Sequence, residues 1–170
     1  MAAGDRFKPT ITYVQVDGPE DTFKLIIQLI QQGRGQWDVI EFSRRLTKGV
    51  AERDHIGNIF TLFKEAQKSV KYQFDPWRLE MLLPAQLIIK YRDLGFDCDD
   101  IGAILLGSLL LSLGYRVQLV MGGKKGGVFS HIWIRVWLPK YQVWFPLDLT
   151  RKDKPPGWEM PHIHEKTHTF

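Results

Sequence analysis

One cysteine, Cys98, opens the run Cys98-Asp99-Asp100-Ile101-Gly102-Ala103-Ile104-Leu105-Leu106, where a polar turn feeds straight into a stretch apolar enough for a buried helix. A thiol at the first turn of such a helix lies among N–H groups that lack intrahelical partners, at the positive end of the macrodipole. Both features favour the thiolate. His131 and Asp148 each fall at or near the end of an expected strand further along. They supply the base and the orienting carboxylate that a nucleophilic cysteine needs, so the chemistry open to this set is nucleophilic catalysis.

A chain of 170 residues, 44% hydrophobic and 12% aromatic, suits one globular domain with a sizeable core. Its net charge of +4 comes from 23 basic against 19 acidic residues, with no basic block of the length a nucleic-acid-binding arm requires. Nucleic acid is therefore not an expected partner. A lone cysteine excludes an intramolecular disulfide, leaves any zinc site to histidines and carboxylates, and fits a reducing compartment. The start, Met1-Ala2-Ala3-Gly4-Asp5-Arg6, lacks the apolar core of a signal peptide, and the apolar stretch over 101–113 is too short to span a bilayer. The expectation is a soluble cytoplasmic protein with no membrane partner and no cofactor.

Periodicity marks the elements that must position these residues. Residues 1–18 hold the β-favouring run Thr10-Ile11-Thr12-Tyr13-Val14, an N-terminal arm or edge strand. After Gly18-Pro19, Phe23, Ile26, Ile27 and Ile30 recur at helical spacing until Gly33 and Gly35 stop the helix. A second helix is expected over 37–46 with Val39, Phe42 and Leu46 on one face. A third follows Asp54, an N-cap, and carries Ile56, Ile59, Phe60 and Phe63. Val70-Lys71-Tyr72-Gln73-Phe74 alternates and ends at Asp75-Pro76, a short extended piece before a loop. Pro84 suits the first position of a fourth helix, with Leu87, Ile88, Tyr91 and Leu94 inward and Gly95 as its left-handed stop.

The helix from Cys98 is apolar on nearly all sides and closes at Gly114, which makes it central. Its small residues Gly102, Ala103, Gly107 and Ser108 admit close neighbours. From Tyr115 the period becomes two: a first strand through Met121, a hairpin tip over 122–127, a second strand over 128–138 and a third over 141–149. On the second strand His131, Trp133, Arg135 and Trp137 share one face and Ile132, Ile134 and Val136 the other. Helices followed by an antiparallel meander read as α+β, one domain over 19–150, helical to 114 and sheet from 115. Residues 151–170, proline-bearing and carrying His162, His164 and His168, are expected to be a flexible tail.

The order of cysteine at a helix start, histidine on the second strand and aspartate on the third resembles the transglutaminase-like superfamily. The resembling residues are Asp97-Cys98-Asp99-Asp100, Leu113-Gly114-Tyr115-Arg116-Val117, Ser130-His131-Ile132-Trp133-Ile134 and Trp144-Phe145-Pro146-Leu147-Asp148-Leu149-Thr150. Small bacteriophage-encoded members are the most alike, and they also carry a stretch like Val70-Lys71-Tyr72-Gln73-Phe74-Asp75-Pro76. The resemblance covers the last half to two thirds of the chain. It implies a papain-like core and acyl transfer, with Cys98 as nucleophile, His131 as base and then acid, and Asp148 fixing the imidazole. The substrate would be a protein or peptide, and water or an amine would take the acyl group from a thioester. The Cys98 N–H would be one oxyanion donor, with Gln86, Tyr72 and Trp77 as candidates for the other. Arg135 is either a substrate-carboxylate contact or a partner for an acid near Cys98.

In two places the residues depart from the family's pattern. Phe96 stands between Gly95 and Asp97 where the family commonly has Gly-Asp-Cys, and Asp97, Asp99 and Asp100 crowd the thiol with charge that raises its pKa. These carboxylates are expected to cap N–H groups or meet basic side chains, leaving the His131 imidazolium as the main stabiliser of a thiolate. Every residue also has a plainer reading. Cys98 can be a small core residue, His131 a strand histidine packed on Trp133, Asp148 the cap of the turn before Thr150, and the tip over 122–127 a hairpin or a lid. The tail histidines would gather a metal or form a docking strand. The rival function is a catalytically inactive structural or assembly protein, located in a virion and partnered by other phage structural proteins.

Overall fold

The computed structural model describes residues 18–51, 53–71, 73 and 81–170. The arm or edge strand expected over 1–18, apart from Gly18, lies outside them, as do Tyr72 and Trp77.

Three helices come first, as their periodicity requires: α1 (Pro19–Gly33), α2 (Trp37–Leu46) and α3 (His55–Ser69). Asp54 caps α3 by accepting from the Gly57 N–H at 2.8 Å, which satisfies one orphan donor of the first turn. The fourth helix, α4 (Ala85–Lys90), is shorter than expected. Because it ends at Lys90, Tyr91 and Leu94 face solvent at 42% and 67% exposure instead of pointing inward. Gly95 does adopt the left-handed conformation, with φ of 95°, several residues beyond the helix end.

Cys98–Leu105 then winds as a π-helix and continues without a break into α5 (Leu106–Ser112). The Leu106 N–H reaches the Ile101 carbonyl, five residues back. Every residue from Asp100 to Leu110 is buried, so this rod is the centre of the helical layer. Its small residues bring neighbours close: a Cβ built on Gly107 would stand 3.1 Å from Ile30 Cδ1 and 3.3 Å from Ile134 Cδ1.

The sheet is antiparallel, with strand order β3-β2-β1-β4 for β1 (Val117–Gly123), β2 (His131–Leu138), β3 (Val143–Leu147) and β4 (His164–Thr169). Ile132, Ile134 and Val136 on β2 and Val117, Leu119 and Met121 on β1 meet the helices in one continuous core. The chain is therefore α+β.

The C-terminal segment is a correction to the expected flexible tail. Residues 164–169 pair with β1 as an edge strand, because alternate side chains have something to cover. Lys166 lies over the Phe23 ring at 5.3 Å and meets Glu20, tying β4 to α1. No described helix is long and apolar enough to cross a membrane.

Candidate active site

The cysteine is aimed by what precedes it. Phe96, 3% exposed, exchanges backbone bonds with Lys71 and Gln73: its N–H donates to the Lys71 carbonyl at 3.0 Å, and its carbonyl accepts from Gln73 N–H at 2.9 Å. The additional residue in the turn is thus an anchor. Asp97 is extended, and its carboxylate accepts from the N–H groups of Asp99 at 3.0 Å and Asp100 at 3.4 Å. Its carbonyl takes the Ile101 N–H at 3.1 Å. These bonds account for three of the first-turn donors, those of Asp99, Asp100 and Ile101. Asp100, fully buried, accepts from the Leu83 N–H at 2.8 Å. Capping is therefore the role two of the three acids take.

Asp99 does something else. Its Oδ1 lies 3.6 Å from the Cys98 sulfur as acceptor of the thiol proton. Burial pushes the Cys98 pKa far up, the charges of Asp99 and Asp97 push it further, and the hydrogen bond to Asp99 adds to them. The Ile132 N–H, bonded to the sulfur, works the other way and is outweighed. These effects favour the neutral thiol. They oppose the expectation that the helix start favours a thiolate, because Asp97 already accepts from two of its N–H groups and the sulfur is desolvated.

His131 begins β2, and Asp148 follows the last residue of β3. Leu147 pairs with Ile134, so Asp148 emerges on the same face as His131. His131 Nε2 lies 2.7 Å from Asp148 Oδ2, while Asp148 Oδ1 accepts from the Thr150 N–H at 3.0 Å and the Thr150 hydroxyl at 2.7 Å. Burial of Asp148 works against its ionisation. The bonds from His131 and Thr150 overcome it and hold the carboxyl below the usual carboxylate range. An ionised carboxylate only accepts, so Nε2 carries the ring proton and Nδ1 is left as a base. The plainer readings coexist with this geometry. His131 is stacked on Trp133, with centroids 5.7 Å apart, and Asp148 caps the turn at Thr150.

Cys98 and His131 line one cleft of about 550 Å³, together with Asp97, Asp99, Ser130 and Ile132. Its far wall is Gly18, Pro19, Thr22 and Ile26 of α1 and its approach, with Met121 and Phe129 from the sheet side. The sequence reading missed this wall. Phe129 and Ser130 adjoin His131 in the chain and were within reach, but the approach of α1 is a long-range contact with no local signal.

Other candidates sit elsewhere. Gln86 lines a separate cleft of about 300 Å³ between α2 and α4, with Asp38, Phe42 and Arg45, and does not line the cleft that holds Cys98. Arg135 does not meet the acids near Cys98. Its guanidinium is taken by Glu159 at 2.5 Å and Glu165 at 2.6 Å. The tail histidines are not gathered for a metal, since His164 and His168 lie along β4 and His162 packs on Trp133 at 5.3 Å. The described residues that could jointly hold an ion are Asp97, Cys98 and Asp99, whose ligand atoms fall within 4.8 Å of one another. No protein-family model matches the chain, and no curated protein matches it.

Proposed function

We propose that the chain is a cysteine-dependent acyl-transfer enzyme of the transglutaminase-like superfamily with a papain-like core, acting on a protein or peptide amide. The observation that carries this reading is that His131, bonded to Asp148 at 2.7 Å, lines one cleft with Cys98.

A thiol held neutral at rest sets the order of events. His131 Nδ1 takes the thiol proton as the sulfur attacks the substrate carbonyl, so general-base assistance replaces a preformed ion pair. The new C–S bond leaves an oxyanion beside the Cys98 N–H, and Asp148 stabilises the imidazolium it faces. Collapse breaks the C–N bond. The imidazolium gives its proton to the departing amine, leaving a thioester on Cys98. Water or an acceptor amine then loses a proton to His131, attacks the thioester carbonyl and returns the sulfur as a thiol.

The test is to incubate the protein with p-nitrophenyl acetate, quench it early and find the acetyl group by mass spectrometry. The reading expects it on Cys98, absent in Cys98→Ala, and discharged by hydroxylamine. Acetyl groups on surface lysines alone would overturn it.

One observation favours a second reading, a catalytically inactive assembly protein that retains the layout of the triad. The thiol is held protonated by burial and by two acids, the reverse of an activated nucleophile. That reading expects Cys98→Ala to leave particle assembly intact while no acyl adduct forms on the parent protein.

A further inference from the structure

The sheet face that carries His131 is closed by the C-terminal segment. Trp133, next along that face of β2, is fully buried, and its indole N–H donates to Glu159 Oε1 at 2.7 Å. The same oxygen accepts from Arg135 Nε at 2.5 Å. Arg135 continues to both carboxylate oxygens of Glu165 on β4, at 3.1 and 2.6 Å, and His162 Nε2 meets Glu165 at 2.9 Å. On its other side the indole fits against Gly122, where a Cβ would stand 2.6 Å from Trp133 Cη2. The ring is therefore boxed, and one carboxylate fixes its orientation.

His131 needs that box. Its bond to Asp148 fixes one ring atom but leaves the imidazole free to tilt about that point. The stack on Trp133, with 23° between planes, removes the remaining freedom. A buried indole N–H without its acceptor would turn to find another, and the His131 plane would turn with it.

We propose that Glu159 is a positioning residue for the base of the reaction, acting through Trp133, so that the C-terminal segment completes the site. This rests on the acyl-transfer reading above, because it concerns the aim of His131 Nδ1.

The experiment compares Glu159→Ala, which removes the acceptor, with Glu159→Gln, which keeps an oxygen for the indole N–H. Two quantities are read: the rate of Cys98 acetylation, and the NMR titration of the His131 ring, which needs no turnover. Glu159→Ala is expected to slow acetylation on the order of tenfold and to move the His131 titration. Glu159→Gln is expected to restore both, and Glu159→Ala in a Trp133→Phe background to add little, since there is no indole N–H left to lose. An unmoved His131 titration in Glu159→Ala, or equal loss in Ala and Gln variants, overturns the inference. A moved titration in a protein that never acetylates Cys98 overturns the enzymatic reading, and with it the part of Glu159 in a reaction, leaving only its hold on the His131 ring.

Discussion

His131 and Asp148 come from different strands and meet with Nε2 2.7 Å from Oδ2, while the second oxygen of Asp148 is held by Thr150. Each carboxylate oxygen thus has its own task. One fixes the tautomer of the histidine, and the other fixes the carboxylate.

Replacing Asp148 by Asn removes the charge that keeps the ring proton on Nε2. Acyl transfer should fall by about 10⁴, the scale seen when such an aspartate is lost from a triad, measured as the acetylation rate of Cys98. The depressed carboxyl pKa also adds stability at neutral pH that disappears as pH falls from the ordinary value of 3.8 through the folded value. Urea titrations should show the parent's advantage over Asp148→Asn shrinking below about pH 4.

Cys98 gives the opposite sign at the other end of the scale. Below its ordinary pKa of 9.0 the thiol is protonated both folded and unfolded. Above it the unfolded chain releases the proton and the folded one does not, so stability falls as pH rises, by at most about 1.4 kcal/mol per unit for one group. Cys98→Ala lacks this loss. Denaturation between about pH 8 and pH 10 should show the parent declining relative to the variant.

Removing one of the charges beside the sulfur should loosen its proton. Asp99→Asn takes away the charge while keeping an oxygen that accepts from the thiol, so at mildly alkaline pH iodoacetamide should modify Cys98 several-fold faster than in the parent, about tenfold for each unit of pKa recovered. Equal rates would show that the Asp99 charge does not set the thiol's state.

Packing around the central rod discriminates between two glycines. A Cβ on Gly33 would lie 2.4 Å from Ser108 Oγ and 3.2 Å from Ala85 Cβ, so Gly33→Ala should cost roughly 1–3 kcal/mol in chemical denaturation. On Gly102 the nearest atoms are 3.5 Å away, at the Ile132 carbonyl and Thr150 Cγ2. Gly102→Ala should leave stability equal or raise it by up to about 1 kcal/mol.

Local signals in the sequence carried the helices and the first three strands. Apolar spacing and Gly18, Gly33 and Asp54 mark α1 and α3, and the change of period at Tyr115 marks the sheet. Two features were not legible. The π winding of Cys98–Leu105 leaves no trace in a run where every position from Asp100 on is buried, because a hydrophobic pattern needs polar positions to have a period. β4 is polar and charged, and it becomes a strand only through the β1 edge it covers and the ion pairs with Arg135 and Glu20. For the site, residue types and order pointed to Cys98, His131 and Asp148. The state of the thiol depended on burial and on where Asp97 and Asp99 turn, which no spacing encodes.

In the proposed reaction Cys98 attacks while His131 removes its proton. The most direct measurement of that step is the pre-steady-state rate of Cys98 acetylation by p-nitrophenyl acetate in the parent and in His131→Ala, at equal folded fraction and neutral pH. The account predicts a loss on the order of 10²–10⁴ without His131, following a single ionisation in the parent that the variant lacks. Equal rates in the two proteins would contradict it.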